Sequence, residues 1–444
     1  MRSNSRRGTV LPGTAMKGRR IAPQYGPLRG LRVLDTGRVV AGPWAATILG
    51  DFGAEVIHVE GPPFSPPFAD PTRSLPPLLP PRASPENGVS ESWVQYSRNK
   101  LSLGLDVTRP EGRKAFLDLV QSADIWIDAS RPGTFAKFSL GDRTVLRANP
   151  RIVITHVSGF GQKGDPRYLN RPSYDLVAQA FSGFLSAQGR PFPEPPTQSG
   201  TAINDLVTGL AAAFGSLVAY VHAASTGKGQ VVDVAQYEVF FLMMENMAVD
   251  FFGRGQVRER HGNAHPRLHP YEIFPARDGW IVLAAPTPRS WRVFREWAGL
   301  PDTPEWNSVS WRIAHRKLVN QRISAITRRS TMAELEAEGL RRDIAFAPIL
   351  TMKEIAENPH YKARNMLLSW RDPVAGDVRG AGIAPKLSRT PGRVWRGAPW
   401  LGQDNQQVLE KLLGYSKDQV RRLRELGVVG DFPPVRLRER KGSR

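Results

Sequence analysis

The sequence predicts an α/β fold in which a parallel sheet is covered by helices on both faces. Near the N-terminus, a strand, a helix and a second strand follow one another within about 30 residues, which is the length of a βαβ unit. Further short apolar runs then alternate with helical segments, as in doubly wound sheets. The chain has 444 residues, of which 41% are apolar. It is therefore long enough for a sizeable core and for more than one domain.

The first βαβ unit carries the clearest signals. The apolar run Leu31–Asp35 is bounded by glycines, which predicts a short buried strand. Pro43 suits the first turn of a helix, which we expect to end near Phe52. The run Glu55–Glu60 has the composition of a second buried strand. Parallel pairing of the two strands follows, because a helix connects them.

The rest of the chain continues this alternation. Strands are predicted at 101–106, 124–128, 151–156, 231–234 and 280–285, and helices at 111–121, 205–224, 238–252 and 417–426. Residues 62–85 contain ten prolines, which predicts a surface loop without regular structure. The apolar stretch 202–224 includes Asn204, Asp205 and His222, so we expect a buried helix rather than a membrane span.

Charge and composition exclude several classes of protein. The net charge is +20, but residues 1–20 contribute +6 and residues 434–444 contribute +4, which is half of it. No basic stripe with interleaved aromatic residues is present, so we expect no nucleic-acid partner. The chain has no cysteine, which rules out disulfides and thiolate catalysis. No apolar segment follows the basic start, so we expect a cytoplasmic protein without a membrane partner.

These observations suggest a division into tails and domains. We expect a disordered basic tail at 1–25, a large α/β domain at 26–225, a small α/β domain at 226–335, a C-terminal part at 336–430 that completes the large domain, and a second basic tail at 431–444.

Several polar residues are candidates for a functional site. Asp175 precedes an apolar helical run and, on its own, is interpreted as the N-cap of that helix. The turn Gly37–Pro43 offers backbone N–H groups after the first strand, although the dinucleotide fingerprint G-x-G-x-x-G is absent. Arg98, Asn99 and Lys100 form either a solvated surface group or a phosphate-binding group.

A metal site is not expected. His261, His265 and His269 are spaced four residues apart, which on a helix would place three ligands on one face. Gly262, Pro266 and Pro270 interrupt any such helix.

Segments spread along the chain carry a family resemblance. Residues 30–35, 37–43 and 51–57 resemble the opening of the family III CoA-transferases, also called the CaiB/BaiF family. Further segments agree in the same order, at 98–100, 131–133, 158–161, 171–175, 226–230 and 262–266. Residues 391–397 (Pro-Gly-Arg-Val-Trp-Arg-Gly) resemble the L-carnitine CoA-transferase branch.

The resemblance implies a mechanism and a substrate. Asp175 matches the catalytic aspartate of the family, which attacks an acyl-CoA thioester and later carries CoA itself. Coenzyme A enters as a substrate, and no permanently bound cofactor is expected. The implied CoA contacts are Arg38, Val39, Ala41, Arg98, Asn99, Lys100 and Lys137.

The resemblance also implies an architecture and leaves alternatives open. It implies a Rossmann-like large domain and an interlocked homodimer. The acceptor would be a betaine such as carnitine, for whose cation Trp44, Tyr174 and Trp395 are available, or a dicarboxylic acid. Related α-methylacyl-CoA racemases carry His directly before the aspartate, where this chain has Tyr174. Racemisation and non-catalytic CoA binding are therefore the alternatives.

Overall fold

The computed structural model describes residues 19–62, 69–80 and 88–433. These residues divide into two compact units. The larger unit consists of three segments of the chain, up to residue 182, at 200–243 and from 365 onward. The smaller unit consists of residues 183–199 and 244–364.

A parallel sheet of six strands forms the centre of the larger unit, in the order β5-β2-β1-β6-β7-β8. Its strands are β1 (Arg32–Asp35), β2 (Glu55–Glu60), β5 (Lys100–Gly104), β6 (Ile125–Asp128), β7 (Val153–Ser158) and β8 (Val231–Ala235). The chain runs outward from β1 in one direction and then resumes on its other side with β6. The gap between these two strands is therefore a topological switch point, where α/β proteins commonly bind ligands.

Helices cover both faces of this sheet, which explains why its strands are apolar on both sides. The helices of the larger unit are α1 (Ala41–Asp51), α2 (Glu91–Tyr96), α3 (Pro110–Ser122), α4 (Thr134–Lys137), α5 (Asp142–Ala148), α6 (Pro166–Leu169), α7 (Asp175–Phe181), α9 (Ile203–Thr226), α10 (Gln236–Leu242) and α19 (Lys417–Glu425). On one face, α1 and α9 pack on Val33, Val56 and Ile125. On the other face, α3 packs with residues 408–429 on Leu34, Ile57 and Trp126.

Two short hairpins complete the larger unit. Their strands are β3 (Leu78–Leu79) with β4 (Val89–Ser90), and β12 (Leu367–Asp372) with β13 (Gly376–Ala381). A 3₁₀ turn at Pro71–Arg73 precedes β3, and a π-helical segment at Gln407–Leu412 precedes α19. The prediction that residues 62–85 lack regular structure is therefore wrong for the described part of that segment.

The smaller unit is a three-stranded antiparallel sheet with helices. Its strands, in the order β11-β10-β9, are β9 (Tyr271–Pro275), β10 (Trp280–Ala284) and β11 (Ala345–Pro348). Its helices are α8 (Phe184–Ala187), α11 (Met247–Arg254), α12 (Pro288–Ala298), α13 (Pro304–Asn307), α14 (Val309–Ala314), α15 (Arg316–Thr327), α16 (Met332–Arg342), α17 (Met352–Glu357) and α18 (Pro359–Ala363). Trp291, Phe294 and Ile323 lie in its core.

The units differ from the domains drawn on the sequence. Strand β8 pairs with β7, so residues 226–243 belong to the larger unit. Strand β11 pairs with β10, so residues 336–364 belong to the smaller one. Most of the predicted N-terminal tail, residues 1–18, lies outside the described residues, as do residues 434–444. Ile21 and Ala22 are not a free tail, because their backbone N–H groups donate to Glu55 at 2.7 and 2.9 Å.

One predicted helix is two helices. The expected buried helix at 238–252 is interrupted between α10 and α11, because Glu245 has a positive φ of 51° and takes the chain out of helical geometry. The segment is also only partly buried, since Val239 and Phe240 are buried whereas Leu242 is 75% and Phe252 is 85% exposed.

Helix α9 is only partly buried. Among the described helices it alone has the length and apolar composition of a membrane span, a test that core helices of globular proteins also pass. In its most apolar window 39% of the residues are buried. The prediction of a buried helix therefore holds for one face, which packs on α1 and β7.

Candidate active site

Asp175 is the first residue of α7, but its side chain is bound to the start of a different helix. Its Oδ1 accepts hydrogen bonds from the backbone N–H groups of Asn204 at 2.7 Å and Asp205 at 3.1 Å, in the first turn of α9. The N-cap of α7 is Tyr174. The interpretation of Asp175 as the cap of its own helix is therefore wrong, because its carboxylate satisfies free N–H groups of α9 instead.

The two oxygens of this carboxylate have different environments. Oδ1 accepts two backbone hydrogen bonds at the positive end of a 24-residue helix. Oδ2 accepts one bond, from Gln179 Nε2 at 2.5 Å. The side chain is only half-buried. Oδ2 therefore keeps more free lone-pair capacity than Oδ1 for contact with a reacting molecule.

A second carboxyl group lies next to Asp175. Asp205 is 8% exposed and accepts a hydrogen bond from Gln236. Burial raises the pKa of Asp205, and the negative charge of Asp175 raises it further, to about 7. The site thus combines a hydrogen-bonded carboxylate with a carboxyl group that is part protonated at neutral pH.

Gln236 connects the segments that surround these two carboxyl groups. It is the first residue of α10, and its side-chain oxygen accepts a bond from Ser173 Oγ at 3.1 Å. Its backbone carbonyl accepts a bond from Asn204 Nδ2 at 3.2 Å. The entry to α7 and the starts of α9 and α10 are therefore held together by hydrogen bonds between buried groups.

The turn between β1 and α1 approaches the same place. Gly37 is required there, because a Cβ atom would lie 2.8 Å from Pro43 and 2.9 Å from the Asp35 carboxylate. Val39 has a left-handed backbone with φ of 69°. Arg38 and Val39 are exposed and Ala41 is buried.

A cavity of about 190 Å³ brings the turn and the surroundings of Asp175 together. Its lining includes three arginines, Arg38, Arg131 and Arg171, for which no carboxylate partner is found within the described residues. It also includes Val39, Ala41, Ser173, Tyr174, Asp205 and Gln236. The positive charge of these arginines, close to the hydrogen-bonded carboxylate of Asp175, suits a ligand that carries phosphates.

A second cavity of about 90 Å³ lies at the carboxyl ends of β1, β2 and β5. Its lining includes Thr36, Arg38, Glu60, Leu105, Ser130, Phe135 and Phe138. Arg38 and Ser130 line both cavities. Lys137 is exposed at the end of α4, the helix that supplies Phe135 to this lining.

Arg98, Asn99 and Lys100 lie inside the fold. Arg98 forms a two-point ion pair with Asp51, at 3.1 and 2.7 Å, and Lys100 contacts the Asp35 carboxylate at 2.9 Å. All three residues are at most 1% exposed, which rules out a solvated surface group. A contact of these side chains with CoA stays a prediction, and in this structure their polar groups are bound within the chain.

The aromatic residues considered for a betaine cation are dispersed. Tyr174 lines the larger cavity and is 69% exposed. Trp44 packs edge-on against Tyr96, and Trp395 packs against the core under α3. Of these three residues, Tyr174 alone lines the cavity.

Sequence reasoning missed a charged group around His156, a residue of β7. His156 lies between Asp128 at 3.1 Å and Asp142 at 3.0 Å. Burial alone would lower the pKa of His156, but the hydrogen bonds to the two carboxylates outweigh it and raise the pKa to about 10. Asp128 also accepts a bond from the backbone of the cavity residue Ser130. No sequence signal marks this group, since its members are 14 and 28 residues apart.

Comparison with known protein families assigns the chain to one of them. The profile of the family described as CoA-transferase family III matches residues 28–405. The chain belongs to this family. The matched range includes the β1–α1 turn, Asp175 and the start of α9, and it confirms the resemblance read from the sequence.

Curated family III CoA-transferases are similar over nearly the whole chain. The bile acid CoA-transferase BaiK of Clostridium scindens is 34% identical, over 92% of this chain and 91% of its own length. The L-carnitine CoA-transferase of Proteus mirabilis is also 34% identical, over 92% of this chain and 97% of its own length. Equal identity to relatives named for two different acids gives no basis for choosing between those acids.

Solved structures agree with the fold. A CaiB/BaiF family protein from Brucella suis has a TM-score of 0.77 at 27% identity and covers 88% of this chain and 100% of its own. The Mycobacterium tuberculosis protein Rv3272 has a TM-score of 0.74 at 25% identity and covers 86% of this chain and 99% of its own.

Proposed function

We propose that this family III CoA-transferase moves CoA from an acyl-CoA donor to a free carboxylic acid through covalent intermediates on Asp175. The observation that carries the proposal is the geometry of that carboxylate. One oxygen accepts two N–H groups at the N-terminus of α9, and the other accepts one hydrogen bond. The neighbouring residues Ser173, Tyr174 and Asp205 line the cavity that the β1–α1 turn also lines.

The proposed chemistry begins with two bond exchanges. Asp175 Oδ2 attacks the thioester carbonyl carbon, the C–S bond breaks, and CoA leaves as a thiolate, which gives a mixed anhydride. The thiolate then attacks the aspartyl carbonyl carbon. The anhydride C–O bond breaks, the donor acid leaves as a carboxylate, and an Asp175–CoA thioester remains. The acceptor carboxylate reverses these steps, and the exchange balances without a net proton transfer.

The start of α9 supports this sequence of steps. Once Oδ2 is acylated, Oδ1 is the aspartyl carbonyl oxygen, and it becomes an oxyanion when the thiolate attacks. The N–H groups of Asn204 and Asp205 already lie 2.7 and 3.1 Å from it. Donors fixed in advance at the position of a developing oxyanion lower the barrier most effectively.

Coenzyme A is proposed to bind along the two cavities as a substrate. Arg38 and Arg131 are available to its phosphates, and the exposed Lys137 lies on the helix that lines the second cavity. Val39 and Ala41 belong to the segment between β1 and the start of α1 that lines the larger cavity, and they are proposed to contact CoA there. The side chains of the buried triplet 98–100 are bound to Asp51 and Asp35 and are not assigned a phosphate of CoA.

A homodimer is proposed on the basis of α9. Leu210, Phe214, Val218 and Val221 form an apolar stripe at helical spacing, and each is between 53% and 71% exposed. A continuous exposed apolar face is typical of an interaction surface. The resemblance to family III CoA-transferases implies an interlocked homodimer. We therefore propose that a second copy of the chain covers this stripe.

The test is CoA exchange with a panel of acids. The protein is incubated with an acyl-CoA and with L-carnitine, crotonobetaine, succinate or a bile acid, and new acyl-CoA is detected by chromatography. Formation of acceptor-CoA supports the proposal and identifies the acid. Deuterium uptake at the α-carbon without any acid would favour racemisation, and CoA binding without exchange would favour a non-catalytic role.

A further inference from the structure

Val39 has an unusual backbone for its residue type. Its φ of 69° lies in the left-handed region, which β-branched residues rarely adopt. It lies between Arg38 and Val40, the N-cap of α1, and both of these residues line the larger cavity. A strained conformation of this kind persists only where the surrounding structure imposes it.

The proline-rich segment, residues 62–85, contacts this turn at its described residues 69 and 70. The Val39 N–H donates a hydrogen bond to Asp70 Oδ2 at 3.0 Å. The neighbouring backbone carbonyl of Ala69 accepts from the Arg38 guanidinium at 3.5 Å. Two consecutive residues of the turn are thus bound by two consecutive residues of that segment.

Asp70 is itself rigidly placed. It is 1% exposed, and its Oδ1 accepts from the Thr72 backbone N–H at 2.9 Å and from the Thr72 hydroxyl at 2.7 Å. Its own N–H donates to Glu60 Oε2 at 3.0 Å. Glu60 is buried at the end of β2 and also accepts from Arg73 Nε at 3.0 Å. The backbone of Asp70 is therefore bound to the central sheet through Glu60, and its carboxylate is oriented by Thr72.

We propose that Asp70 is a positioning residue for CoA binding, which acts by holding the β1–α1 turn in its left-handed conformation. The inference rests on the proposed function, since it takes CoA as the ligand of that turn. It also gives the described end of the proline-rich segment a role in the site.

Substitution of Asp70 tests this directly. In Asp70→Ala and Asp70→Asn, we expect the Kd for CoA by calorimetry and the KM for acyl-CoA to rise about tenfold, with kcat changed less than about twofold. Asp372→Asn is the matched control. Asp372 is also 1% exposed and accepts backbone N–H groups from Val374, Ala375 and Ala398, which lie outside the β1–α1 turn. We expect it to lower thermal stability without changing either constant.

Rescue by glycine distinguishes positioning from a general loss of structure. Glycine adopts positive φ without strain, so Asp70→Ala should weaken CoA binding much less in a Val39→Gly background than beside Val39. Unchanged CoA affinity in folded Asp70→Ala and Asp70→Asn, or an equal loss in both backgrounds, would overturn the inference alone. Failure of the unmodified protein to bind CoA would overturn the proposed function, and this inference with it.

Discussion

At the scale of single residues, the Asp175 carboxylate combines a chemical role with a structural one. As the proposed nucleophile it needs an ionised oxygen, and as the cap of α9 it needs an oxygen that accepts backbone N–H groups. An amide keeps the acceptor and loses the nucleophile, whereas alanine loses both. The two roles can therefore be separated by a pair of substitutions.

We expect both Asp175→Asn and Asp175→Ala to lower turnover by about a thousandfold or more. Only Asp175→Ala should also lower the free energy of unfolding, by about 1 kcal/mol, because it removes a helix cap. Steady-state assays and denaturant titrations of the three proteins check this. Equal stability of the two variants would contradict the capping role, and wild-type turnover in either would contradict the chemical one.

The pKa of Asp205 predicts a pH dependence of stability. Its folded-state pKa of about 7 lies above the ordinary value of an aspartate. Between these two values the folded chain holds a proton that the unfolded chain has released, so the contribution of Asp205 to stability falls as the pH rises from about 4 to about 7. Asp205→Asn removes this contribution.

The measurement is the difference in unfolding free energy between Asp205→Asn and the unmodified protein. It should shift in favour of the variant between about pH 5 and about pH 8. A difference that is constant over this range would show that Asp205 is ionised throughout.

Residues of the site differ in how far the sequence revealed them. Asp175, Arg38 and Ala41 lie in recognisable segments, and the fold brings their surroundings to one cavity. Asp205 and Gln236 could not be assigned, because they lie 31 residues apart and meet only through the packing of α9 against α10. Assigning Asp205 and Gln236 to the site would have required knowledge of which helices pack against each other.

At the scale of elements, the sequence predicted strands better than helix boundaries or burial. The run Glu55–Glu60 forms a strand with those bounds, because a short apolar run between turn residues has few alternatives. The prediction of one continuous helix at 238–252 is wrong, because apolar composition does not show where the backbone leaves helical geometry. For the triplet 98–100, the sequence left a solvated surface group and a phosphate-binding group open. It did not reveal the burial of these residues, because their partners Asp51 and Asp35 lie far away in sequence.

The close packing of α9 on α1 depends on Gly209. A Cβ atom there would lie 2.8 Å from the Trp44 ring and 2.9 Å from the carbonyl oxygen of Ala41. We expect Gly209→Val to lower the unfolding free energy by about 1–3 kcal/mol, as overpacking does. Ser225→Val places the same side chain at an exposed position of α9 and should change it by less than about 0.5 kcal/mol. Similar values in denaturant titrations of the two variants would contradict this packing.

At the scale of the whole molecule, the larger unit is assembled from three segments of the chain. The sequence predicted that a C-terminal part would join an N-terminal part, although its boundaries differed at residues 226 and 336. Composition could not place these two boundaries, because β8 and β11 belong to a unit only through the strands with which they pair.

The proposed dimer predicts the effect of a charge on the α9 stripe. Phe214→Glu should convert a dimer into a monomer in analytical ultracentrifugation while the circular dichroism spectrum is unchanged, because burying a carboxylate against apolar partners is costly. Leu340→Glu, at a residue of α16 that is 84% exposed, is the control and should leave the dimer intact. A monomeric unmodified protein, or a dimer that survives Phe214→Glu, would contradict the assignment of this surface.

Covalent trapping of the enzyme tests the central claim most directly. The protein is incubated with an acyl-CoA, treated with hydroxylamine and digested, and the peptides are analysed by mass spectrometry. The account predicts a hydroxamate on Asp175 that requires the acyl-CoA and disappears in Asp175→Asn. An adduct on another carboxyl group, or acid exchange at full rate with no trapped enzyme, would contradict it.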